Sequence, residues 1–395
     1  MIYLDNAATS PIDEEVLDAM LPYLKEEFGN PSGKYYCSAV NAKKAVEEAR
    51  EKVADLIGAK SEEIIFTSGA TESTNFIIKG FMDYSRYYGN GKTHIITSKV
   101  EHKATLNTCR FLNGEIHSNH DATVALFAAN KRIDRGFSAD FLDVDGNGAI
   151  ELDTVKRAIT DKTALASFML VNNETGAVTN IVPISVLCRE KGIALHVDAT
   201  QALGKIDVNV DAIGCDFLSA SAHKLYGPKG VGCAYIRSDK YGLPPITSLL
   251  HGGEQEFGIR GGTLAVHNIV GFGKAAEIAM RDREKNEKLI CELDEYFITT
   301  LDRIPDVLPF IDSQSRVKGI ISLLVKRRNF NNERFIKRVS SEVAISTGSA
   351  CSAGEPSHVI SAIGQKENVS KIIRVSLNKY TTKSNIDCLI HLLTE

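Results

Sequence analysis

Apolar positions along the chain keep changing their period, and that change sets out the fold. Across residues 41–57, Ala42, Ala45, Val46, Ala49, Val53 and Ile57 fall on one helical face, and Gly58 supplies the stop. An earlier helix is predicted over 13–28, with Asp13 as its cap and Pro22 as a kink, broken by Gly29-Asn-Pro-Ser-Gly33. Short apolar runs then alternate with helical ones. Strands are predicted at 63–66, 93–97, 165–171 and 193–197, and two more, 215–218 and 231–236, flank Lys224. Between them come a helix from Thr67-Ser-Gly-Ala-Thr-Glu-Ser73 to about Met82, a helix start at Glu101-His-Lys-Ala104, and a short helix over 184–191 stopped by Gly192. This alternation predicts an α/β fold with a mostly parallel sheet covered on both faces. Such sheets bind ligands at the carboxyl ends of their strands, where Thr71, His102, Asn173, Asp198 and Lys224 fall.

Past Gly262 the character changes. Residues 269–300 read as one long helical stretch, followed by short mixed elements. We therefore expect a large domain over 15–262 and a smaller α+β domain built from 1–14 and 263–395. Residues 113–135 carry no clear period. His117 and His120 there have ligand spacing but no further ligands nearby, so no metal is expected.

Composition narrows the function. A hydrophobic share of 43% with 24% charged residues is that of an ordinary soluble protein of 395 residues. A net charge of -4 argues for neither a nucleic-acid surface nor an anionic membrane. No apolar window is long enough to span a bilayer and the first residues lack a signal-peptide pattern, so the expected location is the cytoplasm. Eight cysteines without a Cys-x-x-Cys pair do not make a disulfide framework. Cys188, Cys215, Cys233 and Cys388 read as core residues. Cys351 differs, because it lies in the small, polar stretch Gly348-Ser-Ala-Cys-Ser-Ala-Gly354. Asp143-Val-Asp-Gly-Asn-Gly-Ala-Ile150 imitates the start of a calcium loop, but Thr154 stands where the bidentate glutamate is needed. It reads as a tight turn between a strand and a helix.

The chemistry gathers around Ser221-Ala-His-Lys224. A lysine held between two strands can form a Schiff base with a carbonyl, as pyridoxal phosphate enzymes require. Asp198 follows a strand and suits the pyridine nitrogen. Ala70 and Thr71 open a helix and offer donors to a phosphate, with Ser221 and His223 beside them. Taken singly, Lys224 is equally a solvated loop lysine, Asp198 an N-cap and Thr71 a loop hydroxyl. Their order along the chain is what points to pyridoxal phosphate.

A family likeness runs over nearly the whole chain. Tyr3-Leu-Asp-Asn-Ala-Ala-Thr9, Phe66-Thr-Ser-Gly-Ala-Thr-Glu-Ser73, Glu101-His-Lys103, Val171-Asn-Asn-Glu-Thr-Gly176 and His196-Val-Asp-Ala-Thr-Gln201 are its first part. Ser221-Ala-His-Lys-Leu-Tyr-Gly-Pro-Lys-Gly230, His251-Gly-Gly253, Arg260-Gly-Gly-Thr263 and Ser346-Thr-Gly-Ser-Ala-Cys351 complete it. Together they resemble the cysteine desulfurases, class V aminotransferases of fold type I, and most of all the branch serving iron–sulfur assembly, tRNA thiolation and related sulfur transfer. The resemblance implies a pyridoxal phosphate enzyme that turns L-cysteine into L-alanine. It implies that Lys224 bonds the cofactor and moves protons at the substrate Cα, and that His102 stacks on the ring and assists proton transfer as a catalytic residue. Asp198 would pair with the pyridine nitrogen and Gln201 with the ring hydroxyl. Ala70, Thr71, Ser221 and His223 would hold the phosphate, with Thr263 reaching it from the other subunit of a homodimer. Asn173, also a cofactor contact, and Arg374 would hold the substrate carboxylate, and Cys351 would be the nucleophile that carries a persulfide to an acceptor protein.

Two departures stand out. Lys34-Tyr-Tyr-Cys-Ser38 replaces a stretch where the family often has histidine, and the loop from Cys351 to His358 is short. A shorter reach implies a different acceptor, with DNA phosphorothioation among the specialised pathways. The alternatives are an aminotransferase or lyase of the same fold without a persulfide step, or an inactive scaffold.

Overall fold

A computed structural model describes residues 1–115, 133–312, 314–348 and 357–395. The elements of the first part are β1 (Ile2–Tyr3), α1 (Glu14–Lys25), α2 (Cys37–Ile57), β2 (Ile64–Thr67), α3 (Ala70–Tyr87), β3 (His94–Ser98), α4 (Lys103–Leu112), β4 (Ser138–Leu142) and α5 (Leu152–Ala158). They continue with β5 (Thr163–Met169), α6 (Ile181–Glu190), β6 (Ala194–Asp198), α7 (Val210–Ile213), β7 (Phe217–Ser221) and β8 (Gly232–Ile236). After these come α8 (Val266–Arg281), α9 (Arg283–Leu301), β9 (Val307–Pro309), β10 (Ile320–Val325), α10 (Asn332–Val339), β11 (Val343–Ala344), α11 (His358–Ala362), β12 (Ile372–Ser376) and α12 (Lys383–Thr394).

The central sheet has the order β2-β8-β7-β6-β5-β3-β4. Only β8 runs against the rest, pairing antiparallel with both β7 and β2. Strands β5 and β7 are buried at every position, as expected when helices cover both faces. The predicted α/β fold with a mostly parallel sheet is the observed one. A second core gathers Leu4, Phe297, Leu323, Ile373, Ile386 and their neighbours around the antiparallel sheet β12-β10-β9. The start of the chain belongs to this second core: Ile2 and Tyr3 pair with Val343 and Ala344, and Asp5 bridges to Ser376.

Local chemistry explains most boundaries. Asp13 caps α1 through the backbone N–H of Glu15, and the helix continues through Pro22. Gly58 ends α2 at φ 65°, a left-handed position that suits glycine. In the acidic turn, Asp145 Oδ1 accepts from the N–H groups of Asn147 and Ala149, a tight turn joining β4 to α5.

Other boundaries differ from expectation. Helix α2 starts four residues early, at Cys37, and α3 runs on to Tyr87. Strand β4 escaped notice because it is a short sheet edge with exposed residues in its first and third positions. The stretch 269–300 is two helices rather than one. Asp282 interrupts it at φ -101° and ψ 9°, without a glycine or proline to announce the break. The break follows from packing, since Ile269, Phe272 and Ala276 of α8 serve the first core while Leu293, Phe297 and Leu301 of α9 serve the second. His117 and His120 lie outside the described residues. Among the described residues, no helix is long and apolar enough to cross a membrane.

Helices α2 and α8 touch backbone to backbone at Gly273, where a Cβ would stand 2.6 Å from the Cα of Ala49. Gly273→Val is therefore expected to destabilise the protein by about 2 kcal/mol through overpacking. A lower urea midpoint would register this, whereas an unchanged midpoint would mean the helices can part without cost.

Candidate active site

Four strand ends and the start of the chain converge on a cavity of about 410 Å³. Strand β6 delivers Asp198, whose Oδ1 accepts from the N–H of Thr200. Strand β7 delivers Ser221, and a single 3-10 turn after it turns Lys224 into the cavity. Strand β2 leads through Gly69, at φ 150°, into the first turn of α3, where Ala70 and Thr71 line the wall. That φ suits glycine, and it lets the backbone turn sharply from strand to helix.

His102 caps α4: its Nδ1 accepts from the N–H of Ala104 at 3.1 Å. The neutral ring therefore carries its proton on Nε2. Burial holds its pKa below the ordinary value, with Asp198 opposing and Lys224 reinforcing that shift. After β5, Asn172 Oδ1 accepts from the N–H groups of Glu174 and Thr175, a turn that presents Asn173 to the cavity.

The start of the chain closes the site. Lys224 Nζ donates to the carbonyls of Ala7 and Ala8, at 2.7 and 2.6 Å. Gln201 Nε2 donates to the same Ala7 oxygen at 2.7 Å. His223 Nδ1 lies 3.1 Å from Thr9 Oγ1, and burial, with the charge of Lys224 next, pushes its pKa down to about 4. Arg374 is buried, with Nη1 donating to the carbonyls of Asn173 and Gly348 and Nη2 to Asp5 Oδ1. Its Nε has no partner among the described groups.

Ala70, Thr71, His102, Asn173, Asp198, Gln201, Ser221, His223, Lys224 and Arg374 are thus brought to one cavity. Thr263 is exposed and does not line it. Cys351 lies outside the described residues, yet Gly348 before it and His358 after it are both in the cavity wall. Four further groups carried no assignment from sequence. Glu101 is buried and accepts from Ser98 Oγ at 2.6 Å. Glu174 accepts from Ser357 Oγ, and burial raises its pKa against the pull of Ser357, His358 and Arg374. His358 Nε2 meets the carbonyl of Glu101 at 2.9 Å. Lys205 donates to Gln201. Glu101 and Glu174 stood inside recognisable motifs, each beside a residue with a plainer role. Nothing along the chain marks Lys205 or His358.

The aminotransferase class-V family model matches residues 2–117 and 113–389. A cysteine desulfurase IscS from Rickettsia typhi is 41% identical over 396 residues, covering 99% of this chain and 90% of that protein. The chain is a member of the class-V aminotransferases, among their cysteine desulfurases. Its fold is also similar to two solved structures. A NifS-like protein has a TM-score of 0.84 and 31% identity, over 99% of this chain and 97% of that one. A protein described as SspA in complex with cysteine has a TM-score of 0.76 and 34% identity, over 97% and 100%.

Desulfurases of this family depend on pyridoxal phosphate, and the cavity fits it. It holds one lysine amine between carbonyls, a buried carboxylate at Asp198, an imidazole at His102, and helix-start donors at Ala70 and Thr71. Bound there, the cofactor supplies an electron sink for the substrate carbon.

Burial raises the pKa of Glu101 from 4.5 to about 8, so at neutral pH the folded chain holds a proton that the unfolded chain has released. Stability must then fall as pH rises from the unfolded value through about 8. Between about pH 6 and pH 9 this group is expected to remove on the order of 2 kcal/mol, and Glu101→Gln to abolish that slope. Urea midpoints at both pH values measure it, and equal slopes in the two proteins would rule out a protonated Glu101.

Proposed function

We propose that this chain converts L-cysteine to L-alanine and hands the sulfur, as a persulfide on Cys351, to an acceptor protein. The observation that carries the reading is convergence. Lys224, Asp198, His102 and Arg374 share one cavity, and both flanks of the segment bearing Cys351 border it. A similar protein solved with cysteine supports the choice of substrate.

Each residue has a task that its position suits. Asn173 and Arg374 receive the substrate carboxylate; the unpartnered Nε of Arg374 is a buried donor with capacity to spare. Ala70, Thr71, Ser221 and His223 hold the cofactor phosphate. Asp198 would pair with the pyridine nitrogen, Gln201 would contact the ring hydroxyl, and His102 would stack on the ring. Lys224 takes and returns the proton at the substrate Cα. The Cys351 thiolate attacks the substrate sulfur: a sulfur–sulfur bond forms, the carbon–sulfur bond breaks, and the electron pair left on carbon is protonated to give alanine. Only the thiolate is competent for this attack.

The assembly belongs to the same proposal. A homodimer would bring Thr263 of a second copy to the phosphate, which accounts for its exposed position outside this chain's own cavity. A large cofactor-binding domain over 15–262 would work with a smaller one made of 1–14 and 263–395, in the cytoplasm. The acceptor would belong to iron–sulfur assembly, tRNA thiolation or DNA phosphorothioation.

Cys351→Ala is expected to abolish alanine release from L-cysteine while leaving the cofactor's visible absorbance intact. Unaltered alanine production would instead favour a lyase or aminotransferase without a persulfide. Lys224→Ala should lower turnover at least about 1,000-fold, since it removes the amine that the Ala7 and Ala8 carbonyls hold in the cavity. Steady-state alanine assays decide, and residual turnover above a tenth of wild type would contradict the assignment.

A further inference from the structure

A second cavity, of about 250 Å³, lies behind the wall that carries Lys224, and the two cavities share Ala7 and Lys224. The wall between them is a short run of hydrogen bonds. Lys205, which lines only the second cavity, donates from Nζ to Gln201 Oε1 at 3.3 Å and to the Gln201 carbonyl at 3.1 Å. Gln201 then donates from Nε2 to the carbonyl of Ala7 at 2.7 Å, the same oxygen that accepts from Lys224 at 2.7 Å.

In its protonated form the Lys205 amine can only donate. The end of the Gln201 amide that faces Lys205 must therefore be its oxygen, which leaves the NH2 end facing Ala7 and the cofactor cavity. The Ala7 carbonyl, which only accepts, demands the same orientation from the other side, so the two contacts together pin the amide between them. The second bond, to the Gln201 backbone, keeps the lysine in place as the side chain is held. Burial and the charge of Lys224 bring the Lys205 pKa down to about 7.

We propose that Lys205 is a positioning residue for the desulfurase reaction. It orients the Gln201 amide so that a donor faces the ring hydroxyl of the cofactor, and through the shared Ala7 carbonyl it sets the place of the Lys224 amine. The inference rests on the pyridoxal phosphate desulfurase reading above.

The test uses the holoenzyme and four variants: Lys205→Met, Lys205→Arg, Gln201→Ala and the Lys205→Met/Gln201→Ala double. The readouts are the pH midpoint of the cofactor's visible absorbance change, kcat, and KM for L-cysteine. Lys205→Met is expected to move the midpoint by about half a unit or more and to lower kcat about tenfold, with KM within about twofold. Lys205→Arg, still a donor, should recover most of both. The double variant should match Gln201→Ala alone, because one residue acts through the other. An unchanged midpoint and kcat in Lys205→Met, or additive losses in the double, would overturn the inference. Should Lys205→Met fail to fold, Lys205→Leu, which also removes the donor, takes its place in the same cycle, and additivity there counts against the inference equally. Wild-type alanine formation is measured first. Its absence sinks the desulfurase reading itself, whereas its presence beside an unaltered Lys205→Met sinks only the role of Lys205.

Discussion

A guanidinium taken out of water must be met by acceptors that do not come from one place, and Arg374 shows the consequence. Its side chain is buried, and its amines reach Asp5 near the start of the chain, the carbonyl of Asn173 after β5, and the carbonyl of Gly348. Leaving such a charge unpaired would cost several kcal/mol, so three remote segments are obliged to meet at one point. That point is the cavity wall. The carboxyl edge of the sheet, the first strand of the chain and the approach to Cys351 are therefore registered to one another by a single charged group.

Around it the cavity favours neutral forms. Glu101 and Glu174 are pushed toward protonation, and His102, His223 and His358 toward the uncharged ring, with burial the leading cause in each. A site lined this way leaves few competing charges near Asp198, Lys224 and Arg374. Electrostatic attraction between those groups and an amino acid with its cofactor is correspondingly less diluted. The two carboxyl groups also serve as hydrogen-bond acceptors, Glu101 from Ser98 and Glu174 from Ser357.

Much of this was legible along the chain, for a specific reason. Lys224, Asp198, His102 and Thr71 each follow a strand within a few residues, so their chemistry is written in short contiguous strings. The sheet itself was legible because its strands are apolar runs separated by helical periods. What escaped had no such string. The Ala7 and Ala8 carbonyls that receive Lys224 are backbone groups with nothing in their side chains to advertise them. Lys205 and His358 acquire meaning only from partners brought by the fold. The break at Asp282 reflects two cores competing for one helix, which no local propensity encodes, and β4 is too short and too exposed to show a period.

The embrace between Asp5 and Arg374 also bears on how the protein is made. The two residues are 369 positions apart, and the lysine amine is held by carbonyls only a few residues beyond Asp5. A chain leaving the ribosome presents its first residues long before their partners exist. The cofactor pocket can reach its final form only once the segment carrying Arg374 has been released, so cofactor loading must wait for that segment. A nascent fragment that stalls before β12 would hold most of the sheet and no finished pocket.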